Sequence, residues 1–108
     1  MDPFEIKRND LRPVLIANLV DAEGAIVALT GAALRFHMKK AGETAMKVDA
    51  AATITTEASG LVRYTWLSGD TDTHGDYEGE FEVTYSGGDP QTFPVNGYIP
   101  ISILADLA

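Results

Sequence analysis

Turn-forming residues recur at short intervals along this chain, and they constrain its fold more than any other feature of the sequence. Gly, Asp, Ser and Asn cluster between runs of about five to ten residues that are rich in Val, Ile, Thr, Tyr and Phe. No run sustains a helical period. Short strands divided by turns are typical of a β-sandwich or a barrel. The pattern predicts seven strands, near residues 4–8, 12–21, 33–39, 46–55, 61–67, 76–86 and 91–104, the last of them interrupted.

Length, cysteine content and charge narrow the class of protein. The 108 residues contain no repeat or linker, which predicts a single domain over residues 1–108. The absence of cysteine excludes a disulfide framework, a thiolate metal site and a cysteine nucleophile. A net charge of −8 makes the average surface repel nucleic acid and anionic lipid. Neither a secretory leader nor an apolar span is encoded, so we expect protein partners and neither nucleic acid nor a membrane.

Several short motifs, taken together, resemble a known protein family. In order they are Phe4-Glu5-Ile6-Lys7-Arg8-Asn9-Asp10, Asp21-Ala22-Glu23-Gly24, Leu29-Thr30-Gly31-Ala32, Arg35-Phe36, Gly75-Asp76-Tyr77, Thr92-Phe93-Pro94 and Gly97-Tyr98-Ile99. Their order and spacing resemble the N-terminal domain of tailed-phage baseplate upper proteins and related small phage and prophage structural proteins. The resemblance covers nearly the whole chain.

This resemblance implies a fold, a function and a location. The fold would be an immunoglobulin-like antiparallel β-sandwich of about seven strands. The function would be that of a non-enzymatic structural protein, without catalytic residues or cofactor, that binds other virion proteins in the tail or baseplate. The protein would be assembled in the host cytoplasm into the virion and repeated there by the symmetry of the particle. A capsid decoration protein or a head–tail connector of the same virion is the alternative.

The position of Tyr77 agrees with this fold. Tyr77 begins a predicted strand directly after a turn that contains glycine, which is the place of the tyrosine corner in immunoglobulin-like sandwiches. A plain core aromatic residue is the alternative interpretation. Gly79 stands where an antibody domain has its second cysteine, so the sequence does not predict an antibody-type domain.

Two predicted strands alternate between apolar and charged residues. Alternation with a period of two places apolar side chains on one face and charged side chains on the other. The outer face of the sixth strand is acidic, whereas that of the third carries basic and titratable groups. These strands are antiparallel neighbours in an immunoglobulin-like sandwich, so opposite charges would meet in a ladder that fixes the register. The predicted pairs of this charge ladder are Arg35 with Glu82, His37 with Glu80, and Lys39 with Glu78.

The second predicted strand is apolar on both faces. Its two faces cannot both point into one core, and a monomer seldom leaves a large apolar patch in water. We therefore expect one face to be covered by another protein. The predicted interface consists of Val14, Ile16 and Val20, opposite a core face of Leu15, Ala17 and Leu19.

The last predicted strand contains a proline. Pro100 has no amide hydrogen to donate to a neighbouring strand, and Asn96-Gly97 breaks the strand just before it. We expect the strand to be an edge or to bulge at Pro100.

Two patterns resemble chemical sites but have plainer interpretations. The acidic turn of residues 70–76 begins like an EF-hand calcium loop, yet its twelfth position is Phe81 instead of glutamate and no helices flank it. A turn whose side chains cap their own backbone is favoured. His37 and His74 lie in no motif of nucleophilic catalysis. The sequence therefore predicts no catalytic, cofactor or metal site.

A bacterial carbohydrate-binding module is the alternative from another functional class. Such a module needs aromatic side chains on an exposed platform, for which Trp66 and Tyr85 are the candidates. Trp66 shares one strand face with Val62 and Tyr64, which favours a place in the core.

Overall fold

The computed structural model describes residues 2–107, which form a β-sandwich. One 3₁₀ turn, Glu57–Ser59, lies between two of the strands, and no helix in residues 2–107 has the length and hydropathy to cross a membrane. The all-β prediction is therefore confirmed. The nine strands are β1 Phe4–Lys7, β2 Leu15–Asn18, β3 Ala33–Lys40, β4 Met46–Ala51, β5 Thr53–Thr56, β6 Leu61–Tyr64, β7 Gly75–Thr84, β8 Pro90–Phe93 and β9 Ile99–Leu104.

The strands form two sheets in the order of an immunoglobulin-like sandwich. The larger sheet runs β1-β9-β7-β3-β4, with β8 also paired to β7, and the smaller sheet runs β2-β6-β5. Neighbouring strands are antiparallel except β1 and β9, which are parallel. In constant-type immunoglobulin sandwiches, strands A, B, E and D form one sheet and strands C, F and G form the other. By position, β2, β6 and β5 correspond to B, E and D, and β3, β7 and β9 correspond to C, F and G. Two strands depart from that order: β1 pairs with β9 and not with β2, and β4 is an additional strand beside β3 in the larger sheet.

Four predicted strands are divided, or are shorter by three or more residues, in the structure. One of them is 61–67, which ends at Tyr64 as β6 and leaves Trp66 outside the strand. The stretch 46–55 divides at Ala52, where the chain passes from the larger sheet to the smaller one. The stretch 91–104 divides into β8 and β9, which pair with different halves of β7. The stretch 12–21 shortens to β2, followed by an isolated bridge between Val20 and Ile26. Nine strands therefore replace the seven that were predicted.

Aromatic side chains fill the centre of the core between the two sheets. Phe36 stacks on Tyr64 with ring centroids 4.6 Å apart, and Phe81 lies 5.1 Å from Phe36. Trp66 meets the rings of Phe36 and Tyr64 edge-on, at 5.9 and 5.2 Å. Its side chain is 2% exposed, and its indole nitrogen donates a hydrogen bond to the Pro13 carbonyl at 3.1 Å. The prediction that Trp66 belongs to the core is confirmed.

Tyr77 forms a tyrosine corner. Its ring is buried, and its hydroxyl donates a hydrogen bond of 2.7 Å to the backbone carbonyl of Thr73, four residues upstream. Burial raises the pKa of this hydroxyl, so it remains a protonated donor. The sequence prediction of the corner is confirmed, and the bond ties the turn before β7 to the core.

Pro100 lies where one side of β9 has no partner. It is opposite Glu78 of β7, whereas pairing with β1 begins only at Ile101. The local edge predicted at Pro100 is therefore present. From Ile101 onward β9 lies between two strands.

Candidate functional site

The third and sixth predicted strands, β3 and β7, pair in the predicted register. Every residue of β3 is aligned with a residue of β7, and their apolar residues meet on the core side. The aligned positions of the charge ladder are Arg35 with Glu82, His37 with Glu80, and Lys39 with Glu78.

Only one rung of the ladder forms an ion pair, because β4 supplies a competing carboxylate. The Lys39 ammonium lies 3.5 Å from Glu78. Arg35 instead binds Asp49 of β4, with Nη2 to Oδ1 at 2.8 Å, and His37 Nε2 lies 3.1 Å from the same Oδ1. Arg35 and His37 therefore face Glu82 and Glu80 in the predicted register, but the carboxylate that they contact is Asp49.

Asp49 reaches these cations because it stands directly opposite His37 in the β3–β4 register. The hydrogen bond from Arg35 lowers the pKa of Asp49 below its ordinary value. Glu80 and Glu82 form no ion pair with any residue between 2 and 107. This face of the sandwich is therefore a solvated, mixed-charge surface.

The carboxylates of the acidic turn point to three different places. Asp70 accepts hydrogen bonds from the Tyr64 hydroxyl at 2.5 Å and from the backbone of Leu67 at 2.9 Å. Asp72 pairs with Lys47 at 2.5 Å, and Asp76 accepts from the Ser102 hydroxyl at 3.1 Å. Residues 2–107 contain no group of three or more His, Cys, Asp or Glu side chains that converge as metal ligands.

An apolar patch, here called the β2 face, lies on the outer side of the smaller sheet. Ile16 is 62% exposed, Val20 is 38% exposed, and Ile26, which bridges Val20, is 60% exposed. Val14 is half-buried, and Leu15 and Leu19 point into the core. Ile16 and Val20 are residues of the predicted interface, whereas Ile26 was not among those predicted. The turn at residues 21–24 was the available signal, since a hairpin there brings residue 26 opposite residue 20.

A groove runs along the free edge of β2, between the two sheets. It consists of two adjoining cavities of about 260 and 390 Å³, which share Ala17, Asn18 and Ile99 as lining residues. Phe93 and Val95 line the first cavity and Phe4 lines the second. We call this feature the edge groove. Local sequence patterns could not reveal it, because its walls come from opposite ends of the chain.

The backbone of β2 is unpaired on the side of the edge groove. The Leu19 amide donates to the Gly60 carbonyl at 2.9 Å, so this amide points toward β6. Backbone groups of successive strand residues point in opposite directions. The N–H and C=O groups of Ile16, Asn18 and Val20 therefore point to the free edge, where no strand of the described chain lies.

The β2 face and the edge groove are neighbours, and both suit a protein partner. The face offers apolar contact, and the edge offers main-chain hydrogen bonds to an extended segment. Comparisons of the chain with protein-family models, with curated proteins and with solved structures found no match.

Proposed function

We propose that this chain is a non-enzymatic structural protein of a tailed-phage virion that binds other virion proteins in the tail or baseplate. The observation that carries the proposal is the exposed β2 face, an apolar patch on an otherwise acidic protein. Exposed Asn18 separates Ile16 from the Val20–Ile26 pair on this face, and large apolar residues grouped on one exposed face mark many protein interfaces. The sequence motifs that resemble baseplate upper proteins supply the kind of assembly.

The geometry of the patch suits a protein interface. Ile16 and the bridged pair Val20 and Ile26 stand on two adjacent segments of one sheet, so their side chains project in the same direction. The polar and charged residues around them can form the rim that surrounds the apolar centre of many interfaces. When particle symmetry repeats such an interface, every copy of the chain has the same neighbours.

Two alternatives lead to different expectations. A capsid decoration protein or head–tail connector would use the same β2 face at another place in the particle, so only its location distinguishes it. A carbohydrate-binding module needs an exposed aromatic platform. Trp66 is buried, and the half-buried Tyr85 donates its hydroxyl to Gln91 at 2.7 Å, which disfavours stacking on a sugar.

The test is incorporation into particles. Wild-type protein, Ile16→Lys and the matched control Thr84→Lys are each supplied during phage assembly, and purified particles are probed with an antibody to this chain by immunoelectron microscopy. Thr84 is also an exposed strand residue, but it lies on the larger sheet. Because exposed substitutions change stability by about 0.5 kcal/mol or less, both variants should fold.

We expect wild type and Thr84→Lys to label the tail, and Ile16→Lys to label at least tenfold fewer particles. Label on the head would favour the decoration or connector alternative. Equal incorporation of Ile16→Lys would show that the interface lies elsewhere, and absence of wild-type protein from particles would overturn the proposed function.

A further inference from the structure

The free edge of β2 indicates how a partner is held. In constant-type immunoglobulin sandwiches the first strand lies beside the second and covers that edge. Here β1 pairs with β9 in the opposite sheet, which leaves β2 as an edge strand. We infer that the edge groove binds an extended strand of a partner protein, apolar at alternate positions and with a basic residue at each end.

The outward-facing main-chain groups of β2 can form hydrogen bonds to an added strand. Ile16, Asn18 and Val20 direct their N–H and C=O groups outward at the spacing of one side of a β-ladder. An added strand satisfies these groups in the way that peptides extend exposed sheet edges. From Leu15 to Val20 the edge measures about 17 Å at the usual rise per residue, which fits a strand of about six residues.

The edge groove also has space for side chains of an added strand. Ala17, Leu19, Phe93 and Ile99 line the side of the groove that faces the core. Alternate side chains of an added strand would point onto these residues, since strand side chains alternate between faces. Ala17 is the smallest of them and lines both cavities, so it leaves the room that such a side chain needs.

The acidic residues of the edge groove favour a partner strand with basic ends. The charged residues among those that line the two cavities are Asp21 in one and Asp2 in the other. They would lie near the two ends of an added strand and favour a Lys or Arg at each end. The net charge of −8 also makes a second copy of this chain an unfavourable occupant, because two such copies repel each other.

This inference rests on the proposed function only in taking the chain to bind other proteins. Its test uses the isolated 108-residue chain and a synthetic peptide, whereas the proposed function is judged in particles. A failure of one can therefore be told from a failure of the other.

The probe is a short peptide in which Val and Thr alternate, with a Lys at each end. It is titrated into ¹⁵N-labelled protein and followed by NMR. We expect shifts at the amides of Ile16, Asn18 and Val20, and slower hydrogen exchange at these three amides in the complex. A peptide of the same core with Glu at each end should bind several-fold to about tenfold more weakly at low salt, with a smaller difference at high salt.

Two further controls separate strand addition from general stickiness. N-methylation of the peptide at alternate residues removes its donors to the edge and should abolish binding. Ala17→Leu fills the groove and should weaken binding at least tenfold without lowering the melting temperature. The matched variant Ala51→Leu places the same side chain on exposed β4 and should bind like wild type.

Four results would overturn the inference. They are the absence of any shift at millimolar Lys-ended peptide, equal binding of the Glu-ended or N-methylated peptide, unchanged binding by Ala17→Leu, and self-association of the protein through β2.

Discussion

Replacing Gly79 by alanine should destabilise the protein, although the same change at most strand positions would be harmless or favourable. Gly79 is buried in β7, and a Cβ atom on it would lie 2.7 Å from Cδ1 of Ile101 and 3.1 Å from Cε1 of Phe36. Carbon atoms in contact normally lie about 3.5 to 4.0 Å apart. The glycine therefore lets two core side chains approach the β7 backbone.

The magnitude follows from two opposing effects. Overpacking a core costs about 1 to 3 kcal/mol, whereas the loss of glycine's freedom in the unfolded chain returns about 0.4 to 1 kcal/mol. We expect Gly79→Ala to lower the free energy of unfolding by about 1 to 2 kcal/mol and the melting temperature by roughly 5 to 15 °C. Gly87→Ala is the matched control, because a Cβ there meets no atom within 4 Å and the backbone is not left-handed. It should leave stability unchanged or raise it slightly.

A double-mutant cycle in urea identifies the contact. Ile101→Val removes the Cδ1 methyl and should cost about 0.5 to 1.5 kcal/mol in the wild type. In the Gly79→Ala background it should cost almost nothing, because it relieves the clash. The reasoning is refuted if Gly79→Ala is as stable as Gly87→Ala, or if Ile101→Val costs the same in both backgrounds.

Two further predictions concern polar contacts of the larger sheet. Tyr77→Phe removes the hydrogen bond to the carbonyl of exposed Thr73, and urea denaturation should show a loss of about 0.5 to 1.5 kcal/mol, against no loss if the corner is only a packing contact. Asp49→Asn should reduce stability at neutral pH, because the carboxylate paired with Arg35 has a pKa below the ordinary 3.8 in the folded state. That contribution is present above the unfolded-state pKa and is lost as the pH falls through the folded-state pKa, so melting curves of the variant and wild type should converge in acid. A Glu82→Gln variant should show no such convergence, and equal behaviour of the two variants would contradict the assignment of the ion pair.

The sequence predicted β3 and β7 well because their alternation is strict. An alternating strand has one register that buries all its apolar residues, so the partners across the ladder followed from the pattern. The pattern could not identify the partner of Arg35. That choice depends on Asp49, whose strand lies on the other side of β3, and the sequence gives no reason to place β4 there.

Two other features of the fold have no local signal. The chain changes sheets at Ala52 within an alanine run that contains no Gly or Pro, so the division of the predicted strand 46–55 could not be read from turn residues. The edge groove arises because β1 pairs with β9 in the larger sheet and leaves β2 uncovered. The four residues of β1 contain no signal that favours one sheet over the other.

The parallel pairing of β1 with β9 also determines how this sandwich resists a pulling force. Phe4 is aligned with Ile101 and Lys7 with Leu104, so β1 enters the sheet at the end where β9 begins, and β9 leaves it at the end where β1 stops. A tension applied between the two ends of the chain therefore acts along both strands in opposite directions. This tension loads all the hydrogen bonds between β1 and β9 at the same time, in shear. The ion pair between Arg8 and Asp106 lies just beyond the paired residues of the two strands. Under such tension β1 and β9 would resist as one unit.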